Sequence, residues 1–262
     1  MNKKQEQTTI YYTDLLNEEF SSAKITPKKI GDDYKYIHQG IWKKFTHIFW
    51  YRIVMTPIAF IYLKLKFHHK IVNRQLLKGK KKEAYFLFGN HTQALADAYI
   101  PTFLASPKDC YCIVHPNNVS MPVMGRITPS LGALPLPGTF KATKNFLIAI
   151  KERIKENKAI VIYPEAHIWP YCTFIRPFPS NSFHYPVSMN KPVYCFTNTY
   201  QKRKNGKAKL VTYIDGPFYP DSNLDNVDAK EMLRNEVYET MCKEALHSNI
   251  EVIHYVRKKE NG

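Results

Sequence analysis

His91 and Asp97 lie in the run Phe88-Gly89-Asn90-His91-Thr92-Gln93-Ala94-Leu95-Ala96-Asp97, which leaves an apolar, strand-like stretch and enters a helical one. A carboxylate that holds one ring nitrogen of a histidine fixes its tautomer and stabilises the protonated ring. The second nitrogen is then left to act as a base. On a regular helix six steps turn about 240°, so the two side chains would diverge. His91 must therefore precede the helix, with Asp97 reaching back from its first turns. The helix N-terminus then disfavours a charged imidazole and keeps the base neutral. A histidine close to an aspartate is also an ordinary structural pair, so the elements around it decide how it is read.

Those elements follow from the apolar pattern. Short apolar runs predict strands over 84–88, 110–114, 133–136, 159–163, 193–197 and 210–214. They alternate with helical stretches, which predicts an α/β fold with a mixed, mostly parallel sheet flanked by helices. Phe146, Ile150 and Ile154 share one stripe of a helix expected within 139–157. Leu233, Val237 and Met241 mark another helix, and Asp228 with Glu231 resembles its capped start. Pro164, Pro170, Pro177 and Pro179 make the stretch after Tyr163 a long loop beyond a strand, where α/β folds carry their sites. Aromatics from Trp169 to Tyr185 would line a pocket there or pack on the core.

The five cysteines, Cys110, Cys112, Cys172, Cys195 and Cys242, are odd in number and scattered, which argues against a disulfide framework and fits a reduced cytoplasmic compartment. Cys110, Cys112 and His115 have the types of metal ligands, but 110–114 reads as a buried strand and no second pair follows at zinc-finger spacing, so no metal is expected.

The chain of 262 residues carries 38 Lys plus Arg against 22 Asp plus Glu, a formal charge of +16. Such a charge attracts nucleic acid, anionic lipid or phosphorylated substrates. A hydrophobic share of 44% excludes a disordered polymer. The polar N-terminus, 1–20, lacks the apolar core of a secretory signal. The most apolar stretch, 48–63, is interrupted by Arg52, leaving an uncharged run over 53–63. That run is shorter than the roughly 20 residues that span a bilayer. Trp42, Trp50, Tyr51 and Tyr62 suit a membrane interface, Lys43, Lys44, Lys64 and Lys66 flank them, and Pro57 should bend or break a helix. The stretch predicts an embedded, non-spanning helix or bent hairpin, the alternative being a kinked core helix. The run Lys78, Lys80, Lys81 and Lys82 is a solvated loop or a contact for phosphate headgroups. Two regions are expected: a membrane-associated helical extension over 1–80 and an α/β domain over 81–262.

The Asn90-His91 run resembles the His-x4-Asp motif of the glycerolipid acyltransferases, which comprise the lysophosphatidate and glycerol-phosphate acyltransferases. Pro122-Val123-Met124-Gly125-Arg126 with Gly132-Ala133-Leu134-Pro135-Leu136 resembles that family's second block. Tyr163-Pro164-Glu165 resembles its Phe-Pro-Glu-Gly block, and Lys191-Pro192-Val193-Tyr194 its fourth. The blocks keep the family's order over about 84–215.

The resemblance implies an O-acyltransferase that moves a fatty acyl group from acyl-CoA or acyl carrier protein to a lysophospholipid-type, lysophosphatidate-like acceptor in phospholipid biosynthesis. His91 would be the general base and Asp97 its partner, with no cofactor and no metal. Glu165 is carried over from the third block as a substrate-binding or helix-positioning group. The expected partners are an anionic bilayer surface and the acyl donor, without nucleic acid, at the cytoplasmic face of a membrane. Three departures qualify this reading. Five residues, not four, separate His91 from Asp97, and Gly138 and Ile168 stand where the family has phosphate-binding arginines. His167, Arg126, Lys141, Lys144 or Arg176 would have to substitute. An acceptor without a phosphate, or an inactive membrane-binding relative, remains the alternative.

Overall fold

Alternation within Tyr85-Phe86-Leu87-Phe88 sets the layering. Phe86 and Phe88 meet Phe146, Ile150, Leu233, Val237 and Met241 on one face. Tyr85 and Leu87 meet Leu63, Phe67, Ile100 and Leu104 on the other. A strand covered on both faces is apolar at every position.

The computed structural model describes residues 8–21, 26–37, 40–122 and 124–258. Residues 1–7 of the polar N-terminus, Val123 of the second block and the side chain of Lys43 lie outside the described part. Its strands are β1 (Thr8–Tyr12), β2 (Lys70–Val72), β3 (Tyr85–Gly89), β4 (Cys110–Val114), β5 (Ala133–Pro135), β6 (Ala159–Ile162), β7 (Val193–Lys202), β8 (Ala208–Phe218) and β9 (Ile253–Arg257). Seven of them form one sheet in the order β2-β8-β7-β3-β6-β4-β5. Only β7 and β8 run antiparallel. This is the expected mixed, mostly parallel α/β sheet. The chain fills one side of β3 with β4, β5 and β6 before crossing to β7, so the strand order reverses at β3. Such a reversal leaves a crevice at the C-terminal strand ends.

Helices Phe140–Lys155 and Asn226–Ala245 cover one face, and Ala96–Ala105 the other. The Thr139 hydroxyl caps the first, accepting from Ala142 N at 3.1 Å. The cap of Asn226–Ala245 is Asp225 and not Asp228: Asp225 Oδ1 accepts from Val227 N at 2.8 Å and Asp228 N at 2.9 Å. Asp228 and Glu231 already lie within the helix.

Ile41–His47, Ile48–Met55 and Thr56–Phe67 run on as a single helix, with a π-helical middle. Neither a break nor a hairpin forms at Pro57. Proline sits near the start of the Thr56–Phe67 stretch, and the wider π turn ahead of it makes room for its ring. The helix extends well beyond the uncharged run over 53–63: by length and composition alone, the 24 residues of Lys44–Phe67 are enough to cross a bilayer. The helix nevertheless lies along the body. His47 Nδ1 meets Ser130 O at 2.7 Å, Tyr51 Oη meets Thr102 Oγ1 at 3.1 Å, and Arg52 pairs with Asp109. Leu63 and Phe67 enter the core, while Ile53, Ile61, Leu65 and Trp42, the last 80% exposed, face outward.

Three strands were not expected. β2 is only three residues long and β1 and β9 are partly polar, so none carries a long apolar run. β1 pairs with β9 and β2 with β8, so both parts of the first 80 residues join the α/β body. β7 and β8 extend beyond their apolar cores to Lys202 and Phe218.

Candidate active site

The site begins where β3 stops. Gly89 has no side chain because the Phe196 ring occupies its place: a Cβ would lie 2.1 Å from Phe196 Cζ. Beyond it, Asn90 acts as a substitute peptide. Its Oδ1 accepts from Asn198 N at 2.7 Å and its Nδ2 donates to Asn198 O at 3.1 Å. The ladder between β3 and β7 is thereby prolonged by a side chain, and His91 emerges at a fixed angle.

His91 Nδ1 lies 2.9 Å from Asp97 Oδ2. The extra residue of the motif is absorbed in the irregular turn over 90–95, and the helix Ala96–Ala105 starts one residue before Asp97. Asp97 is surrounded by donors. Thr92 N and Gln93 N each donate to Oδ2 at 2.8 Å, and Asn198 Nδ2 donates to Oδ1 at 3.1 Å. Burial pushes the Asp97 carboxyl upward, against the pull of His91 and the two peptide donors. A group ringed by donors acts as an acceptor, so His91 donates through Nδ1 and keeps a lone pair on Nε2. The His91 side chain is 17% exposed and that of Asp97 0%, so the pair has one wet end and one dry end.

Tyr163, just beyond β6, stacks on the imidazole with ring centroids 4.4 Å apart and donates to Asp97 O. Burial raises its phenol well above the usual range, so it stays a neutral donor.

Glu165 ties the motif to the loop that follows β6. Its Oε2 accepts from His91 N at 2.8 Å and its Oε1 from Arg176 N at 2.9 Å. Arg176 Nη2 pairs with Oε2 at 3.3 Å, with the side chains 1% and 2% exposed. Arg176 is thus buried and spent on Glu165, His167 O and Leu15 O, which removes it as a phosphate ligand. The loop after Glu165 is tied back to the motif, Trp169 N to His91 O at 3.1 Å and Tyr171 N to Thr92 O at 3.0 Å.

The other expected contacts are not gathered around the imidazole by any of these bonds. Arg126 is exposed and lines a cleft of about 400 Å³ with Lys28, Ser120 and Met121. Lys141 is exposed in the first turn of Phe140–Lys155. His167 Nδ1 faces Glu19 Oε2 at 3.5 Å. The aromatics after Trp169 mostly pack rather than line a pocket: Trp169 stacks on Tyr255 at 4.8 Å, and Phe183 on Phe88 at 4.2 Å. Cys110 and Cys112 lie in β4 as read, and burial pushes both thiols up to about 12. Among the described residues no three His, Cys, Asp or Glu side chains are grouped to hold a metal.

Sequence reasoning missed Asn198, which lies just beyond the apolar run over 193–197 with no motif around it. The sequence points to Arg176 as a substitute phosphate ligand and gives no sign of its pairing with Glu165.

A central strand of an α/β sheet thus leads into a histidine held by a buried aspartate. The family model for acyltransferases matches residues 66–220, and the chain belongs to that family. Among solved structures it is similar to the 1-acyl-sn-glycerophosphate (LPA) acyltransferase PlsC from Thermotoga maritima, at 16% identity and a TM-score of 0.52, over 79% of this chain and 80% of that one. No curated protein matches the chain.

Proposed function

We propose that this acyltransferase moves a fatty acyl group from a thioester, acyl-CoA or acyl carrier protein, to the free hydroxyl of a lysophospholipid-type acceptor. The observation that carries the reading is the 2.9 Å contact between His91 Nδ1 and an Asp97 held by three further donors. His91 Nε2 takes the acceptor's hydroxyl proton as its oxygen attacks the thioester carbonyl. The tetrahedral intermediate collapses, the C–S bond breaks, and the imidazolium returns the proton to the thiolate. Asp97 orients the ring and stabilises its charged form. Assistance of this kind is worth about 10²–10⁴-fold in rate. The chemistry needs no metal or cofactor beyond the acyl donor.

The partners and location follow from the surface. A net charge of +16 favours a polyanionic donor and an anionic bilayer. The outward apolar face of the helix over 41–67 supports seating in a membrane interface, with its other face tied to the body. Five free cysteines fit the cytoplasmic side. Nucleic acid has no part in this reading.

A second reading is favoured by Glu19. Ile168 N donates to Glu19 Oε1 at 3.2 Å and Oε2 at 3.1 Å, which sets a carboxylate beside the position where the resembled family carries an arginine. That charge disfavours a phosphate there and favours an acceptor without one.

The test supplies purified protein in lipid micelles with labelled acyl-CoA or acyl carrier protein and a panel of acceptors: lysophosphatidate, lysophosphatidylcholine and monoacylglycerol. Preferential transfer to the lysophospholipids supports the first reading. Transfer to monoacylglycerol alone supports the second, and transfer to no acceptor contradicts both.

A further inference from the structure

A second cleft, of about 320 Å³, opens at the end of the apolar helix and is lined by Phe60, Leu63, Lys64, His69, Lys70, Ile71, Arg74 and Phe103. Its origin is local. The helix ends at Phe67 and is followed by His68, whose backbone is left-handed at φ 47°; the returning N–H groups of His68 and His69 bond Lys64 O and Leu63 O at 3.1 Å. The chain then enters β2 at the sheet edge at once. This reversal sets Lys64, on the last helical turn, against Lys70 and Arg74, and all three are exposed. No carboxylate is among the lining residues.

The opposite wall is apolar, with Phe60 and Phe103 at a ring separation of 6.1 Å. Ile61 and Leu65 stand exposed on the same helical turns as Phe60 and Lys64. The cleft therefore joins an outward apolar face to a group of cations, the arrangement of a lipid's acyl chain and its phosphate. His69 forms its floor and is buried. Its Nε2 meets Thr212 Oγ1 at 2.8 Å, Thr212 donates to Asn198 Oδ1 at 2.7 Å, and Asn198 donates to Asp97.

The geometry points to a binding site for an anionic phospholipid, with its phosphate on Lys64, Lys70 and Arg74 and its chain along Phe60 and Phe103, separate from the His91 site. It rests on the proposed function only for the seating of the helix at a bilayer, and it meets the His91 site only through the His69–Thr212–Asn198 hydrogen bonds.

The test uses full-length protein in neutral detergent, titrated with dihexanoylphosphatidylglycerol, dihexanoylphosphatidylcholine or inorganic phosphate. Calorimetry gives the affinity, and the ring resonances of His69 in protein labelled with ¹⁵N-histidine report occupancy at the floor. The expected result is 1:1 saturation by phosphatidylglycerol with a shift of His69, about tenfold weaker binding of the zwitterionic lipid, and no shift with phosphate alone. Lys70→Gln with Arg74→Gln should weaken binding at least about tenfold, while Lys81→Gln with Lys82→Gln and His91→Ala leave it unchanged. Equal binding by the first double variant, or by phosphatidylcholine, overturns the site. An equal His69 shift with inorganic phosphate assigns the cleft to a free anion and overturns the lipid. Loss of acyl transfer in His91→Ala with retained lipid binding separates this site from the catalytic reading.

Discussion

Asn198 Nδ2 lies 3.1 Å from Asp97 Oδ1, the carboxylate oxygen that His91 does not use. The amide cannot flip without loss, because its Oδ1 accepts from Thr212 Oγ1 at 2.7 Å. Thr212 in turn has its proton committed to Asn198, so His69 Nε2 must donate to it. Three side chains, His69 from the turn before β2, Thr212 from β8 and Asn198 from β7, thus form one chain of donors that points toward the carboxylate of Asp97 in the helix Ala96–Ala105.

Removing the Asn198 amide takes away a charge-assisted hydrogen bond worth about 1.5–3 kcal/mol. Asn198→Ala should lower kcat by about 10–100-fold with little change in KM. The fold should persist, because Asn90 bonds the backbone and not the side chain of Asn198. Circular dichroism and steady-state kinetics check both halves. An equal rise in KM would assign Asn198 to substrate binding instead.

Glu165 neutralises Arg176 in a dry setting, with the two side chains 2% and 1% exposed. Glu165→Gln leaves that guanidinium uncompensated and should cost about 3–5 kcal/mol of stability. Chemical denaturation measures this. A loss below about 1 kcal/mol would show that Arg176 finds another counter-charge.

His69 links stability to pH. Burial, then Lys64, lowers its pKa from an ordinary 6.5 to about 4. Between these values the unfolded chain binds a proton that the folded one refuses. The His69 contribution is therefore complete above about 6.5 and is lost as pH falls toward 4, by at most about 3 kcal/mol. Asp215 opposes it: burial and then Glu244 raise its carboxyl from 3.8 to about 6, so its contribution is lost as pH rises through that window. Thermal melts at about pH 7 and about pH 4.5 should differ less for His69→Gln than for the unaltered protein. An equal difference would show that the ring is protonated in the fold.

The outward face of the helix over 41–67 predicts binding to uncharged bilayers. Each buried isoleucine contributes about 1.5–3 kcal/mol. Ile53→Glu with Ile61→Glu should weaken co-sedimentation with phosphatidylcholine vesicles by at least about tenfold. Unchanged co-sedimentation would move the membrane contact elsewhere.

How far the sequence carries depends on where the stabilising contacts are local. β4 is the five-residue run Cys110–Val114 that its apolar residues announce; helical geometry requires only that His91 precede the helix if it is to meet Asp97, and the pairing itself is what the family resemblance implies. Asn198, Thr199 and Gln201 make β7 look shorter than it is, because their polar side chains are satisfied by partners outside the strand: Asp97 and Thr212, Val211 O, and Tyr213. Glu165 was legible as a motif residue, but its work on Arg176 and His91 N depends on a loop whose path carries no periodic signal. The unbroken helix at Pro57 was hidden because a π turn has no sequence signature of the kind that a cap or a tight turn has.

The rate of acyl transfer by His91→Ala tests the central claim most directly. With the best thioester donor and lysolipid acceptor from the panel, kcat/KM should fall by about 10²–10⁴ relative to the unaltered protein while the melting temperature and lipid binding hold. Transfer that continues at the original rate without the imidazole would contradict the account.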